Sequence, residues 1–233
     1  MMIEFSSLES AFSSGGNRLC FVDPNDELRC IKIARPERAP EKKRAEKSFP
    51  GNLRPLSYFD ENISDLSVYK RIDKLVGNKA YNLMPKCYGY VDTNFGPGLA
   101  VEMIKDTDGQ ISMTLKQYVW LYGLTDVLAA SLDSFLTLWQ SLGMPSRNLL
   151  LHNIVVQQDS DKAEPTIMRL VVIDGLGWPD IVPLAYYFPP LARYKARRKA
   201  ARLHHAIEQL IKKQATGGEW GLRGWMDDEQ RKK

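Results

Sequence analysis

The stretch SRNLLLHNIVV, residues Ser146–Val156, and its later counterpart VVIDGLG, residues Val171–Gly177, decide how this chain is read. Each holds a short run of β-branched and other apolar residues, the composition of a buried strand. We read one strand at Ile154–Gln157 and a second at Arg169–Ile173, with the polar loop QDSDKAEPT between them. An oxygen-bearing side chain stands at one end of each run. Asn153 immediately precedes the first strand, and Asp174 immediately follows the second.

The rest of the chain is long enough to build a fold around these two strands. At 233 residues with 44% hydrophobic content, it suits one domain or two small lobes. The 32 Lys and Arg residues against 28 Asp and Glu give a formal charge of +4, too small to imply nucleic acid or membrane by itself. Cys20, Cys30 and Cys87 are odd in number and widely spaced. That argues against a disulfide framework or a zinc cluster and for a reducing, cytoplasmic setting. The opening MMIEFSSLES lacks a basic segment followed by an apolar one, and no stretch reaches eighteen apolar residues, so neither secretion nor a membrane span is expected.

Upstream, RLCFVDPNDELRCIKIA reads as a hairpin about the turn-forming Asp23-Pro24-Asn25-Asp26. Strand alternation puts Cys30 and Lys32 on one face, and Ile31 and Ile33 on the other. The charged, proline-broken segment RPERAPEKKRAEKSFPGNLRP reads as an exposed connection of weak order. From Asp60 to Val76, apolar residues at helical spacing predict an amphipathic helix with Glu61 and Asp65 on a common face. PKCYGYV and LAVEMI, about the turn DTNFGPG, predict a second strand pair. TLKQYVWLYGL and TDVLAASLDSFLTLWQSLG then read as helices, the latter capped by Thr125 and ended near Gly143. A long helix over about 190–214 precedes the polar ending ATGGEWGLRGWMDDEQRKK.

A strand lysine, an acidic helix, a strand ending in VEMIKDTDG, helices, a loop ending in asparagine and a strand ending in aspartate follow one another here. Protein-kinase-like folds present their ATP-binding parts in this order. On LRCIKIA, YGYVDTNFGPGLAVEMIKDTDG and RNLLLHNIVV with VVIDGLG, the chain resembles the YrbL-type PhoP regulatory network family, a bacterial branch of protein-kinase-like proteins. The resemblance covers most of residues 10–200. It implies an α+β fold with a small antiparallel sheet lobe carrying one helix over 1–104, a reduced helical lobe over 105–215, and a polar tail over 216–233.

It also implies a site for Mg-ATP in the cleft between the lobes. Lys32 would contact the α- and β-phosphates, with Asp65 or Glu61 as its acidic partner. Gly15 and Gly16 would let backbone approach the phosphates, although FSSGGNRLC lacks the full G-x-G-x-x-G spacing. Glu102, Met103 and Ile104 would form the hinge beside adenine. Asn153 and Asp174 would hold magnesium, hard oxygen donors for a hard cation. DGLG has no phenylalanine after its aspartate, which bears on the packing switch of regulated kinases and not on metal binding.

The same alignment puts Asn148 where the proton-accepting aspartate of H-R-D stands. An amide can orient a hydroxyl but cannot take its proton near neutral pH. Phosphoryl transfer is carried largely by positioning and charge, so slow transfer is compatible with Asn148, as is a pseudokinase that binds partners without turnover. His152, beside Asn153, is a substitute base only if it faces the site. After DGLG the chain has no A-P-E-like segment and little length for a peptide-binding lobe. Its basic helix, Arg193 to Arg202, could meet an acidic partner or, less readily, nucleic acid. The nucleotide aside, the phosphoacceptor or protein partner is not written in the sequence.

Overall fold

The hairpin about Asp23–Asp26 forms because its turn is tied by its own carboxylates: Asp23 Oδ1 accepts from the amide of Asn25 at 2.9 Å, and Asp26 Oδ1 from that of Leu28 at 3.1 Å. The computed structural model describes residues 2–160, 166–178, 184–221 and 223–233. Contacts divide the chain into two units, Met1–Arg71 with Lys86–Met103 and Lys233, and Ile72–Pro85 with Ile104–Lys232.

The first unit is built on an antiparallel sheet ordered β1-β2-β3-β5-β4. Its strands are β1 (Ser13–Ser14), β2 (Arg18–Asp23) and β3 (Asp26–Ala34), followed after two helices by β4 (Cys87–Thr93) and β5 (Gly96–Glu102). The helices are α1 (Pro40–Ala45) and α2 (Glu61–Val76), the latter running on into the second unit. Phe21 pairs with Ile31 and Ile31 with Ala100, so these residues share a face. They join Ile3, Phe5, Leu19 and Ile33 in a core cluster where the Phe5 and Phe21 rings stack at 4.4 Å. The opposite face carries Cys20, Cys30, Lys32, Leu99 and Val101 by the same alternation. The charged segment after β3 is more regular than its composition predicts. Short 3-10 turns and α1 occupy it, with Pro40 in the first turn of α1 where a missing N–H costs nothing, and α1 buries no residue.

In the second unit, α3 (Leu115–Tyr122) and α4 (Asp126–Ser141) each start on a threonine. Thr114 Oγ1 accepts from the amide of Gln117 at 3.1 Å, and Thr125 Oγ1 from that of Leu128 at 3.2 Å. Each such cap contributes about 1 kcal/mol. Leu128, Leu132, Phe135, Leu136 and Trp139 form the buried stripe of α4. β6 (Ile154–Asp159) and β7 (Thr166–Val172) pair antiparallel, with Ile154 opposite Val172. They outrun the expected strands at the loop end, where the register extends to Asp159 opposite Thr166. α5 (Leu184–Tyr187) leads into α6 (Pro189–Ala215), which buries Ala196, Ala200, Leu203, Ile207 and Leu210 at helical spacing.

The last residues, expected as a polar tail, are packed within this unit. The Trp220 ring meets Trp120 edge-on at 5.4 Å and Trp225 at 5.0 Å, and Lys116 Nζ lies 4.0 Å from its centre. Gln117 both donates to the carbonyl of Met226 and accepts from its amide. A capping box on Asp227 then starts α7 (Asp228–Arg231). The apolar anchors stand singly among glycines and charges, so no periodicity announces them. Gly224 has φ +86°, and a Cβ there would sit 2.6 Å from His152 Cβ. Gly224→Ala should therefore lower stability by about 1–3 kcal/mol, read as a shift of the urea midpoint; an unchanged midpoint would show that the tail does not dock there.

The fold is thus mixed α and β, with a five-stranded antiparallel sheet, a two-stranded ribbon and helices. No helix among the described residues is long and apolar enough to cross a membrane.

Candidate functional site

The antiparallel pairing of Ile154 with Val172 puts the start of β6 beside the end of β7. One step outward, the amide of Ile173 donates to the carbonyl of Asn153 at 2.8 Å, so Asn153 and Asp174 emerge from the same end of the ribbon. Gly175 then turns with φ +77°, its amide donating to Asp174 Oδ1 at 2.7 Å. A Cβ on Gly175 would lie 2.8 Å from the carbonyl oxygen of Asn148 and 3.0 Å from Asn153 Nδ2. Only glycine lets the three polar residues crowd this close.

The loop before Asn148 is tied to the same turn. Arg147 donates its amide to the carbonyl of Gly175 at 2.8 Å and its Nε to that of Leu176 at 3.0 Å, while Ser146 bridges to Leu176. Asn148 and Asn153 from one loop, and Asp174 from beyond the next strand pair, are therefore gathered about one glycine. Asn148 and Asp174 are exposed and Asn153 half-buried, so a ligand can reach them. Two protein oxygen donors suit magnesium, which retains water and takes further ligands from phosphate. Among the described residues no group of three His, Cys, Asp or Glu side chains could enclose a metal.

His152 is held away from a base's role by its surroundings. Its Cβ faces Gly224, and burial with the nearby charges of Arg223 and Lys116 pushes the imidazole below its ordinary pKa, opposed by Asp174. It is a weaker base than free histidine.

In the first unit, Lys32 is paired between Cys20 on β2 and Leu99 on β5 and is only 8% exposed, unusual for a lysine. Asn62, near the start of α2, donates its side-chain amide to the Lys32 carbonyl at 2.9 Å, pinning helix to strand. The neighbouring acids are bonded to Arg18 and Lys43. Asp65 Oδ2 accepts from Arg18 Nη1 at 2.6 Å; Glu61 Oε1 accepts from Lys43 Nζ at 2.8 Å and from Asn17 Nδ2 at 2.7 Å. Arg18 is the residue that sequence reasoning missed. Its place on the Cys20–Lys32 face follows from β2 alternation, which could have flagged it. The thiols of Cys30 and Cys87 on this face are pushed above the ordinary cysteine range, Cys30 by its bond with Cys20 and by burial, Cys87 by burial.

Gly15 and Gly16 are exposed at the tip of the β1–β2 hairpin, closed by a bond from the Gly15 amide to the Arg18 carbonyl at 2.9 Å. Arg35 holds this tip through Gly15 O at 2.8 Å and through Ser14 Oγ. At the expected hinge, the amides of Glu102 and Met103 bond to the carbonyls of Lys86 and Leu28, and the carbonyl of Ile104 accepts from Ser112. Those three backbone groups are already committed within the chain. The chain crosses from one unit to the other between Met103 and Ile104.

Residues 6–208 match the family described as PhoP regulatory network protein YrbL, a span that takes in both polar clusters. The chain belongs to this YrbL family. It is 24% identical over 210 residues to the protein named "Uncharacterized protein YrbL" of Escherichia coli (strain K12), covering 87% of this chain and 84% of that one. The Shigella flexneri protein of the same name matches with the same figures. The YrbL match ends before Trp220, Gly224 and Arg231, so the docked tail lies beyond it.

Proposed function

We propose that this YrbL-family chain is a kinase-like protein that binds Mg-ATP and transfers phosphate weakly or atypically. The observation that supports it most is the gathering of Asn148, Asn153 and Asp174 about Gly175. In this reading the second unit supplies Asn153 and Asp174 to magnesium, and the first supplies Lys32 to the phosphates, with Gly15 and Gly16 above them. Asp65 and Glu61 belong to the polar network on the Lys32 face, where Arg18 and Lys43 hold them. The hinge Glu102–Ile104 would contact adenine through backbone groups other than the three committed ones. When bound, magnesium neutralises charge on the transferring phosphate. Asn148 orients an acceptor hydroxyl without taking its proton.

The setting is bacterial regulation, in keeping with the family description, and three free thiols suit a reducing cytoplasm. Asn148 also supports a second reading, a pseudokinase whose nucleotide shapes a surface for a partner. Radiolabelled ATP separates the two. Under the first reading, Asn148→Asp restores a base and raises phosphate release or self-labelling by about a hundredfold. If Mg-ATP raises the melting temperature while neither wild type nor variant turns over, the scaffold reading stands. If Mg-ATP causes no shift, both fall.

A further inference from the structure

A cavity of about 200 Å³ lies within the second unit, between the end of α4, the segment Met144–Ser146, Gly177–Trp178 and the first half of α6. Small side chains line it: Gly177, Ala185 and Ala196 leave space that larger ones would fill. At about 30 Å³ per water in the liquid, it has room for a phosphate and a short organic attachment.

Its polarity is two-sided. Met144, Trp178 and the alanines make an apolar wall, and the Trp178 ring is steadied edge-on by Tyr186 at 5.4 Å. The α6 side supplies Lys195, Arg198, Lys199 and Arg202, and no carboxylate is among the described residues that line the cavity. Gathering Arg198, Lys199 and Arg202 about a concave space costs electrostatic energy that an anion would offset. Lys199 registers that cost: its ammonium is pushed below its ordinary pKa, first by burial and then by Arg202 and Arg198. Lys199 Nζ also donates to the carbonyl of Arg147, the residue before Asn148.

We propose that this cavity binds a phosphoryl group carried on a small organic body, the phosphate held by Arg198, Lys199 and Arg202 and the attachment lying against Trp178 and Met144. Arginine forks match phosphate oxygens bidentately. A nucleic-acid backbone is a poorer fit, because polymer binding draws on several phosphates laid along an open groove, whereas this space admits one. The site is separate from the Asn153–Asp174 cluster and stands whether or not that cluster binds nucleotide. Through the Lys199–Arg147 bond, occupancy acts on the loop that carries Asn148.

Phenyl phosphate, inorganic phosphate and phenol, titrated calorimetrically into the full chain at constant ionic strength, test the assignment. Phenyl phosphate should bind at one saturable site, more tightly than inorganic phosphate, and phenol should give no heat. The double variant Arg198→Ala/Arg202→Ala, at exposed positions, should weaken phenyl phosphate by about tenfold or more. Arg197→Ala, an equal charge on the same helix but outside the lining, should leave it unchanged. The proposal is overturned by wild type showing no saturable heat, by equal weakening in Arg197→Ala, or by binding that survives the double variant and disappears in Asp174→Ala.

Discussion

Replacing Arg231 with alanine should cost about 3–5 kcal/mol of folding stability, the loss expected when one partner of a buried ion pair is removed. Asp106 has a fully buried side chain, and Arg231 Nη2 donates to its Oδ2 at 3.0 Å. The other oxygen accepts from Ser112 Oγ at 2.6 Å and from the amide of Gln158 at 2.9 Å. Arg231 Nε further donates to the carbonyl of Ile111 at 3.0 Å. Without the guanidinium, a buried carboxylate keeps its neutral hydrogen bonds and loses its countercharge.

The pH dependence carries a definite sign. Burial lifts the Asp106 carboxyl above its ordinary pKa, while Ser112, Gln158 and Arg231 hold it down. A folded-state pKa above the unfolded one contributes stability below the unfolded pKa, and that contribution is lost as pH rises through the folded value. Arg231→Ala lifts the folded pKa further. The variant's deficit should therefore be largest at neutral pH and shrink as pH falls into the carboxylate range, measured by urea denaturation across pH. A deficit independent of pH would mean that Arg231 acts by packing alone.

Asp174→Ala should weaken Mg-ATP binding by about tenfold to a hundredfold, the range for losing one charge-assisted contact. Its carboxylate is exposed, so the fold should survive, and affinity for ATP in chelator should hardly change. That selectivity separates a metal ligand from a residue needed for folding. Weakening of both forms alike would move Asp174 out of the metal's company.

Local chemistry was legible in the sequence. The Asp23–Asp26 turn, the threonine cap at Thr125 and the apolar runs of β6 and β7 each declare themselves within a few residues. So did the pair Asn153 and Asp174, because strand ends are marked by a change of polarity. The expected apolar stripe of α2 holds only in part, with Tyr69 and Ile72 buried and Ile63 and Leu75 exposed. What stayed hidden depends on distant partners. Trp220 reads as one aromatic among glycines until Trp120 lies beside it, and Arg231 as a terminal charge until Asp106 is found beneath it. Lys32 and Asp65 share a polar face as the pattern suggests, and Arg18, which bonds to Asp65 there, went unflagged. The cavity beside α6 was equally silent: alanine and glycine encode a void only once helices are packed around them.

The most direct test is a calorimetric titration of ATP into the wild-type chain, once in magnesium and once in EDTA. Saturable binding that is markedly tighter with magnesium is the predicted result. No binding in either buffer, or equal affinity in both, would contradict the assignment of Asn153 and Asp174 to a nucleotide-borne metal.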